Sequence, residues 1–377
     1  MKIEVYSPTI RRKEMDAVLT AMVEEKIGPG ERSRLLIQTA KDQLKFEYAL
    51  ALRSPAVALH LALTALNAKP GQFVIISALS PRYYLKVLQD LQLLPLYCDV
   101  TFDFPCLRRE TIEKTIEAKT ADNTANENGG SSHNAQICAI VLHHTLGFTP
   151  DAAAIAELGF PVIEDISRSY GSWIKPEVKN AEGEVSAGKT EKDPAGNPPV
   201  SLLYSQFIIL GLEERDMLTS GGGALLFAMN RKDASLLRGF AGLADEYCLA
   251  DINSALAVVQ FKEARRNLER RRDIARVFAQ SSLRTRHKHF IPLNDNEYCN
   301  YSFSLVLETG LKDVISYAKK KDIILENAFE NTIAGAGSIE NCLVSNSLVL
   351  RTVLFPMYPR LRSQEIERIS RLIMTLP

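Results

Sequence analysis

Short runs of β-branched and aliphatic residues alternate with helical segments in the first half of the chain, and this alternation limits the fold more than any other feature. The runs FVIIS (73–77), LPLYC (94–98), ICAIVL (137–142) and PVIED (161–165) have the length of buried strands. Helical patterns over residues 82–92 and 150–158 lie between members of this set. Strands that alternate with helices form βαβ crossovers, so the sequence predicts an α/β domain with a mainly parallel sheet.

The remaining segments are predicted to be helical or mixed. Apolar residues at helical spacing predict helices over residues 11–26, 32–48 and 56–68, the last beginning at Pro55. Farther on, the pattern predicts a long helix (251–278), strands at 301–307 and 348–354, and helices over 311–320 and from 363 onward. We therefore expect a large α/β domain over residues 1–250 and a smaller α+β domain over residues 251–377.

Two stretches interrupt this pattern, and one predicted helix contains a basic run. Residues 122–134 and 175–199 are polar and rich in glycine or proline, and we expect both to be surface insertions. The basic run RRNLERRRD (265–273) contains interleaved acidic residues. This mixture favours an ion-paired, solvated helix face over a nucleic-acid site.

Charge and cysteine content exclude several classes of protein. Among 377 residues, 45 Lys and Arg balance 45 Asp and Glu, so no net field attracts the chain to nucleic acid or an anionic membrane. The longest apolar tract is broken by Arg53, Pro55 and His60 and does not have the pattern of a membrane span. Six scattered cysteines without a C-x-x-C pair favour reduced thiols in a cytoplasmic protein. The adjacent His143 and His144 point to opposite faces of a strand, so no metal site is predicted.

Several motifs, in order along most of the chain, resemble those of one enzyme family. They are SPAVALHLALTAL, HHTLGFTPD, VIEDISRSYGS, LGLEERDMLTSGGGALLF, the helix LADINSALAVVQ with its basic tail, and LFPMYPRLRSQEIERI. Together they resemble the DegT/StrS-type sugar aminotransferases, which use pyridoxal phosphate. The resemblance implies the type I aminotransferase fold, with a large α/β domain, a small C-terminal domain and a homodimer that shares its active sites.

The stretch LGLEERDMLTSGGGALLF (210–227) also departs from that family. The family pattern is roughly F-S-F-x-x-x-K-N-L-T-T-G-E-G-G, and its cofactor lysine falls on Asp216. A one-residue shift of the alignment places Arg215 there instead, and no lysine lies between Lys192 and Lys232. A carboxylate cannot form the Schiff base that lysine forms with the cofactor, so the resemblance implies a lost transamination chemistry.

Two more cofactor contacts are implied by the resemblance. Asp165, at the carboxyl end of PVIED, matches the carboxylate that keeps the pyridine nitrogen of the cofactor protonated. Considered without the resemblance, it is a strand-end aspartate that caps a backbone amide. Pro81 falls where the family has an aromatic ring stacked on the cofactor, and Tyr83 or Tyr84 lies close enough in sequence to replace it.

The residues at the phosphate end of the cofactor differ from the family pattern. An S-G-T turn at a helix N-terminus becomes Ser54, a proline and Ala56, which removes one N–H donor and one hydroxyl. Arg168 replaces a glutamine and is still able to meet a phosphate, and Ser220 is a further candidate contact. Glu246 replaces an asparagine that the family supplies across the dimer, and its charge would repel a phosphate.

Three functions remain open from the sequence. The favoured one is a family member that no longer transaminates and acts structurally or as a regulator, as a homodimer or with an active paralogue, in nucleotide-sugar or polysaccharide metabolism. The second is an enzyme that binds pyridoxal or pyridoxamine phosphate without lysine, as do relatives that carry histidine there and catalyse dehydration. The third is a nucleotide-sugar-binding protein that uses the cleft between the domains.

Overall fold

The computed structural model describes residues 2–125, 136–172, 178–179, 185–186, 200–293 and 298–377. The first predicted insertion, 122–134, is described only in its first four residues, which continue a helix. The second, 175–199, is described only at two pairs of strand residues. The rest of both predicted insertions lies outside the described residues.

A seven-stranded sheet forms the centre of the structure. The first nine strands are β1 (Tyr48–Leu52), β2 (Phe73–Ser77), β3 (Leu94–Cys98), β4 (Ile137–His143), β5 (Val162–Asp165), β6 (Val178–Lys179), β7 (Val185–Ser186), β8 (Phe207–Gly211) and β9 (Ala224–Ala228). The large sheet has the order β1-β9-β8-β5-β4-β2-β3, and β6 and β7 pair with each other. Strands β3, β2, β4, β5 and β8 run parallel, whereas β9 is antiparallel to both β8 and β1. The predicted mainly parallel sheet is confirmed, and the carboxyl ends of its strands meet at one edge.

Helices cover both faces of this sheet. They are α1 (Arg12–Val23), α2 (Glu31–Leu44), α3 (Pro55–Ala65), α4 (Tyr83–Asp90), α5 (Arg109–Ala125), α6 (Ala152–Ala156), α7 (Arg231–Arg238) and α8 (Asp251–Ser282). Side chains of α3, α4 and α7 pack with Ile76 and Ile209 on one face. On the other face, Leu210 packs with α2 and α8, and Ile75 packs with α5 and α6. Consecutive strand residues therefore enter opposite cores, as the pleat of a strand requires.

A smaller α+β unit follows α8. Its elements are β10 (Phe303–Val306), α9 (Leu311–Lys319), β11 (Glu326–Asn327), α10 (Ile333–Ala336), α11 (Leu343–Arg351), β12 (Thr352–Phe355) and α12 (Ser363–Met374). Its three strands form an antiparallel sheet in the order β10-β12-β11. Helix α8 contributes Phe261 to the core of the large sheet and Phe278 to the core of the small one. In the part of the chain that the structure describes, no helix is long and apolar enough to cross a membrane.

Two predicted elements are wrong in part. The helix predicted over 32–48 ends at Leu44, because Lys45 adopts a left-handed conformation (φ 57°) and Tyr48 begins β1. The strand predicted over 348–354 is helical through Arg351. This helix is fixed from outside its own sequence, since the carboxylate of Asp99 accepts the N–H groups of Val344 and Ser345 at 2.9 and 2.8 Å.

The basic run on α8 is a solvated face with one exception. Arg265 pairs with Glu269 at 3.4 Å and Arg266 with Glu263 at 2.6 Å, as predicted for this run. Arg271 is different, because it is only 5% exposed and faces the interior. Its Nη1 donates to the carbonyl oxygens of Tyr301 and Met357, both at 2.8 Å.

Replacing Asp99 by alanine should destabilise the protein, because the first turn of α11 would lose the carboxylate that caps it. We expect the free energy of unfolding to fall by about 1–2 kcal/mol, the usual cost of a lost N-terminal cap. Chemical denaturation monitored by circular dichroism measures this change. Asp273→Ala, at an exposed position on α8, is the control, and an equal loss in both variants would contradict the capping role.

Candidate functional site

Asp165 lies at the carboxyl end of β5, and its buried carboxylate is surrounded by donors. Tyr83 and Tyr84, at the start of α4, donate their hydroxyls to Oδ2 at 3.1 and 2.8 Å. Ser167 donates its backbone N–H to Oδ1 at 3.1 Å, and its hydroxyl donates to the same atom. Burial acts to raise the pKa of Asp165, but His143, Ser167 and Tyr84 outweigh it and hold the pKa below its usual range. The carboxylate is therefore ionised and fully hydrogen-bonded within the protein.

The two tyrosines, predicted as candidates for stacking on the cofactor, both contact Asp165. Their rings pack edge to face at 4.9 Å, and their hydroxyls converge on one carboxylate oxygen. Burial raises the pKa of both phenols well above 10, and the charge of Asp165 raises it further. Each therefore stays protonated and acts as a hydrogen-bond donor to Asp165.

The adjacent histidines point to opposite faces, as predicted. His143 Nδ1 lies 3.4 Å from Asp165 Oδ2, and burial lowers the pKa of this imidazole. His144 faces the other core, where its Nδ1 meets Ser169 Oγ at 2.6 Å and its Nε2 meets Glu164 Oε2 at 3.0 Å. This Ser–His–Glu arrangement resembles a hydrolytic triad, but all three residues are at most 1% exposed. Without access for a substrate, it is a buried polar network that links β4, β5 and the loop after β5.

Asp216 and Arg168 lie near the ionised Asp165. Burial raises the pKa of Asp216 to about 8, the charge of Asp165 raises it further, and Arg168 opposes both effects. One carboxylate oxygen, Oδ2, accepts the backbone N–H of Glu213 at 2.9 Å. The guanidinium of Arg168 lies 5.6 Å above the ring of Tyr301 and, within the described residues, makes no hydrogen bond or ion pair. Asp216 is thus mostly protonated at neutral pH, whereas Arg168 remains a cation.

Protein atoms occupy the space near the N-terminus of α3. Ser54 is the N-cap, and its hydroxyl accepts the N–H of Val57 at 3.3 Å. Pro55 is the first helical residue and has no N–H, and Ala56 supplies only its backbone. Gly211, at the serine position of the F-S-F pattern, is packed so tightly that an added Cβ would meet Asp216 Oδ2, Ser167 Oγ at 2.7 Å and Pro55 Cγ at 3.1 Å.

Two other predicted site residues lie away from this cluster or serve the backbone. The hydroxyl of Ser220 donates to the carbonyl of Gly222 at 2.8 Å, so it closes the glycine-rich turn before β9. Glu246 is exposed in a short 3₁₀ helix (Asp245–Tyr247). That segment lies beside the start of α3, because Arg53 donates its N–H to the carbonyl of Tyr247 at 2.9 Å.

The residues present do not fit pyridoxal phosphate, the cofactor that the resemblance implies. The position of its lysine holds Asp216, which has no amine. The carboxylate expected to face its pyridine nitrogen, Asp165, is already hydrogen-bonded to Tyr83, Tyr84 and Ser167. At the phosphate end, the side-chain space at Gly211 is filled by Asp216, Ser167 and Pro55.

Sequence reasoning missed three residues of this site. Ser167 joins Asp165 to the backbone N–H of Gly211, which it accepts at 2.7 Å. Tyr301 lies under Arg168 and donates its hydroxyl to the carbonyl of Arg215 at 2.7 Å. His143 was considered only as a metal ligand. The serine two residues after a strand-end aspartate was a readable signal, whereas the contact of Tyr301 is made over a long separation in sequence.

Comparison with known proteins identifies relatives of the whole architecture. Residues 8–185 match the DegT/DnrJ/EryC1/StrS aminotransferase family. The aminotransferase TlmJ from Streptoalloteichus hindustanus is 16% identical and superposes with a TM-score of 0.78 over 99% of this chain and 98% of its own. A DegT DnrJ EryC1 StrS aminotransferase from Brucella abortus is 18% identical, with a TM-score of 0.77 over 96% and 94%. The E. coli GDP-4-keto-6-deoxy-D-mannose-3-dehydratase, solved with bound hydrated PLP, is 13% identical, with a TM-score of 0.76 over 99% of each chain. These likenesses confirm the predicted type I aminotransferase-like fold.

Asp216→Asn should change how stability depends on pH. The pKa of Asp216 rises from 3.8 to about 8 on folding, so the native state binds more protons than the unfolded state between these values. The stability that Asp216 contributes is present below pH 3.8 and is lost as the pH rises through 8. Since one pKa unit is worth about 1.4 kcal/mol, the asparagine variant should gain more than about 2 kcal/mol over wild type between pH 4 and 8.

Urea denaturation at a series of pH values measures this difference. Glu214→Gln, an exposed carboxylate in the same loop, is the matched control. A constant difference between wild type and Asp216→Asn across the range would show that Asp216 titrates normally.

Proposed function

Residues 8–185 of the chain match the DegT/DnrJ/EryC1/StrS aminotransferase family, and from this match we propose that the chain is a member that does not transaminate. The observation that carries the proposal is Asp216, a carboxylate packed against Gly211 at the position of the cofactor lysine. Transamination by this family's cofactor needs an amine there to hold the cofactor and to move a proton. The hydroxyl groups gathered on Asp165 support the same proposal, since they fill the hydrogen-bonding capacity of the second expected cofactor contact.

We infer that such a protein acts through binding. By family relationship, its setting is nucleotide-sugar or polysaccharide metabolism, and its role is that of a structural or regulatory partner. The name of the E. coli relative contains a GDP-linked sugar. A nucleotide sugar is therefore the first ligand class to test by calorimetry for binding in the cleft between the domains.

A second candidate function is chemistry with pyridoxal or pyridoxamine phosphate that needs no lysine. The retained ionised Asp165 favours it, because a carboxylate of low pKa is what a protonated pyridine nitrogen requires. The E. coli dehydratase is a relative with bound hydrated PLP. Binding of cofactor by the wild-type chain separates this candidate from the first.

Restoring the lysine alone should not restore cofactor binding. In Asp216→Lys the phosphate end still has Pro55 and Ala56, and Glu246 adds a repulsive charge if a second subunit supplies it. Hydrogen bonds to a charged phosphate are worth about 1.5–3 kcal/mol each, so the loss of two weakens binding by roughly 2–4 powers of ten. A variant that also carries Pro55→Gly, Ala56→Thr and Glu246→Asn should bind the cofactor more tightly.

Titration with pyridoxal phosphate, monitored by visible absorbance and by calorimetry, checks this expectation. Asp216→Asn is the control for loss of the carboxylate without gain of an amine. Tight binding by the wild-type protein, or transamination by Asp216→Lys alone, would overturn the proposal.

We also propose that the chain forms a homodimer. Helix α1 and the turn after it expose an apolar patch, defined as Met15, Leu19, Met22, Val23 and Ile27, whose members are 50–83% exposed. Family members place the segment that corresponds to residues 246–251 at their subunit interface. The patch adjoins this segment, because Asp251 donates its N–H to the carbonyl of Gly28 at 2.9 Å. Exposed apolar patches of this kind are commonly protein interfaces.

Sedimentation analysis at micromolar concentration should show a dimer. Val23→Lys combined with Leu19→Glu should raise its dissociation constant by at least about tenfold, since charges would be buried without partners. Leu350→Glu, at a site on α11 that is 74% exposed, is the matched control. A wild-type monomer would refute the homodimer, and association only with a related chain would replace it by a heteromer.

A further inference from the structure

A partly open cavity of about 20 Å³ lies behind the loop that carries Asp216. It is lined by the N-terminal stretch 6–9, by residues 216–219 of that loop, and by one face of α8. Tyr6, Asp216, Asn267 and Arg271 all line it. A second cavity, of about 40 Å³, shares Tyr6 and Arg271 with the first. Arg271 therefore lines both cavities.

The charge of Arg271 is not balanced inside the protein. Its side chain is almost fully buried, and only Nη1 is used, on the carbonyls of Tyr301 and Met357. Within the described residues, Nε and Nη2 donate no hydrogen bond, and no carboxylate lies within ion-pair distance of this guanidinium. Burial lowers the pKa of Arg271, which shows the cost of the charge in this position. Buried cations are normally paired, so the space beside Arg271 lacks an anion.

Two further donors face the same cavity. Asn267 lies one helical turn before Arg271, and in the described part of the chain neither its buried acceptor Oδ1 nor its donor Nδ2 makes a hydrogen bond. An anion would accept from Nδ2. The hydroxyl of Tyr6 likewise has no partner there, and burial raises the pKa of Tyr6, so the hydroxyl keeps its proton. Residues four apart on a helix have neighbouring side chains, so one small group is within reach of both Asn267 and Arg271. A guanidinium, an amide and a phenol without partners form a donor set suited to an oxyanion.

We propose that this cavity binds the anionic group of a small molecule, a carboxylate or a phosphate-like oxyanion, through Arg271, Asn267 and Tyr6. The site is separate from the cofactor cleft and needs no cofactor. It would give a non-transaminating member of the family a ligand to bind, although it stands independently of that function. Asp216 forms the wall between the cavity and the cleft, so the two are coupled through its charge.

The charged and titratable groups around Asp216 set the pH dependence of this site. They are Asp165 and Arg168 after β5, Glu213 in its own loop, Tyr83 on α4, Tyr6 and Arg271 on the cavity side, and Tyr301 before β10. Since the pKa of Asp216 is about 8, this wall is neutral at pH 7 and negative at pH 9. Neutral Asp216 does not repel an anion in the cavity at pH 7, whereas ionised Asp216 repels it at pH 9.

Isothermal titration calorimetry with sodium sulfate tests the site, because sulfate is a dianion at both pH 7 and pH 9. Wild-type protein without cofactor should bind it saturably at pH 7 and about tenfold more weakly at pH 9, the factor that matches a one-unit change in the pKa of Asp216. Asp216→Asn should bind at pH 7 and keep that affinity at pH 9. Titrations with phosphate and acetate at pH 7 distinguish a phosphate-like ligand from a carboxylate.

Conservative variants keep the test independent of folding. Arg271→Gln should abolish binding, but it also loses backbone contacts, so Asn267→Leu and Tyr6→Phe are the decisive variants. Each should weaken binding about tenfold or more, the effect of one lost hydrogen bond to a charged group. Arg276→Gln, with the same charge change at an exposed position of α8, should bind as wild type does.

The proposal is overturned if none of the three anions binds saturably, or if Asn267→Leu and Tyr6→Phe both bind as wild type does. It is also overturned if Arg276→Gln weakens binding as much as they do. Failure of the anion titrations would not change the conclusion drawn from the cofactor titrations. Tight cofactor binding would refute the proposed function but would not refute the anion site.

Discussion

The ionised carboxylate of Asp165 is the interaction on which the arrangement of the site depends. It stands at the end of a central parallel strand, where a buried charge is tolerated only with enough donors. Helix α4 supplies two phenol hydroxyls, and the loop after β5 supplies Ser167. Ser167 also accepts the N–H of Gly211, so the same hydroxyl ties β5 to β8. The hydrogen bonds from Tyr83 and Tyr84 to Asp165 thereby hold the start of α4 at this edge of the sheet.

A second carboxylate nearby has the opposite electrostatic character. Asp216 receives one backbone donor, whereas Asp165 receives two phenols, a serine hydroxyl and an amide. The charge of Asp165 raises the pKa of Asp216 and Arg168 only partly opposes this effect, so the less hydrogen-bonded carboxyl group holds its proton. A lysine in place of Asp216 would change this balance, since it would add a second cation to the surroundings of Asp165. The charge states of Asp216 and Arg168 are therefore coupled.

The fold was largely predictable from the sequence, and the chemistry of the site was predictable only at single positions. Buried parallel strands such as β4 and β5 are short continuous apolar runs, so their length and β-branched composition predicted them. The strands β1 and β8 were missed, because YALAL is equally suited to a helix and FIIL lies next to a long polar stretch. The helix α11 was mistaken for a strand because its cap, Asp99, comes from a distant segment. Asp165 and Asp216 were identified by their place in motifs, but the tyrosine hydroxyls on Asp165 depend on how α4 packs, which no local pattern specifies.

The packing around Gly211 involves three residues from different segments of the chain, Pro55, Ser167 and Asp216. Gly211 leaves room for Asp216 Oδ2 and the ring of Pro55. A serine at this position on β8 would bring its Cβ into contact with both groups. The same proline has no N–H to donate to an anion, and Asp216 stands at the position of the lysine in the family pattern. Each of these residues alone would leave either a clash or a void, and a void among buried groups costs stability. Together they fill the space with protein groups, so the packing at this edge of the sheet depends on several residues at once.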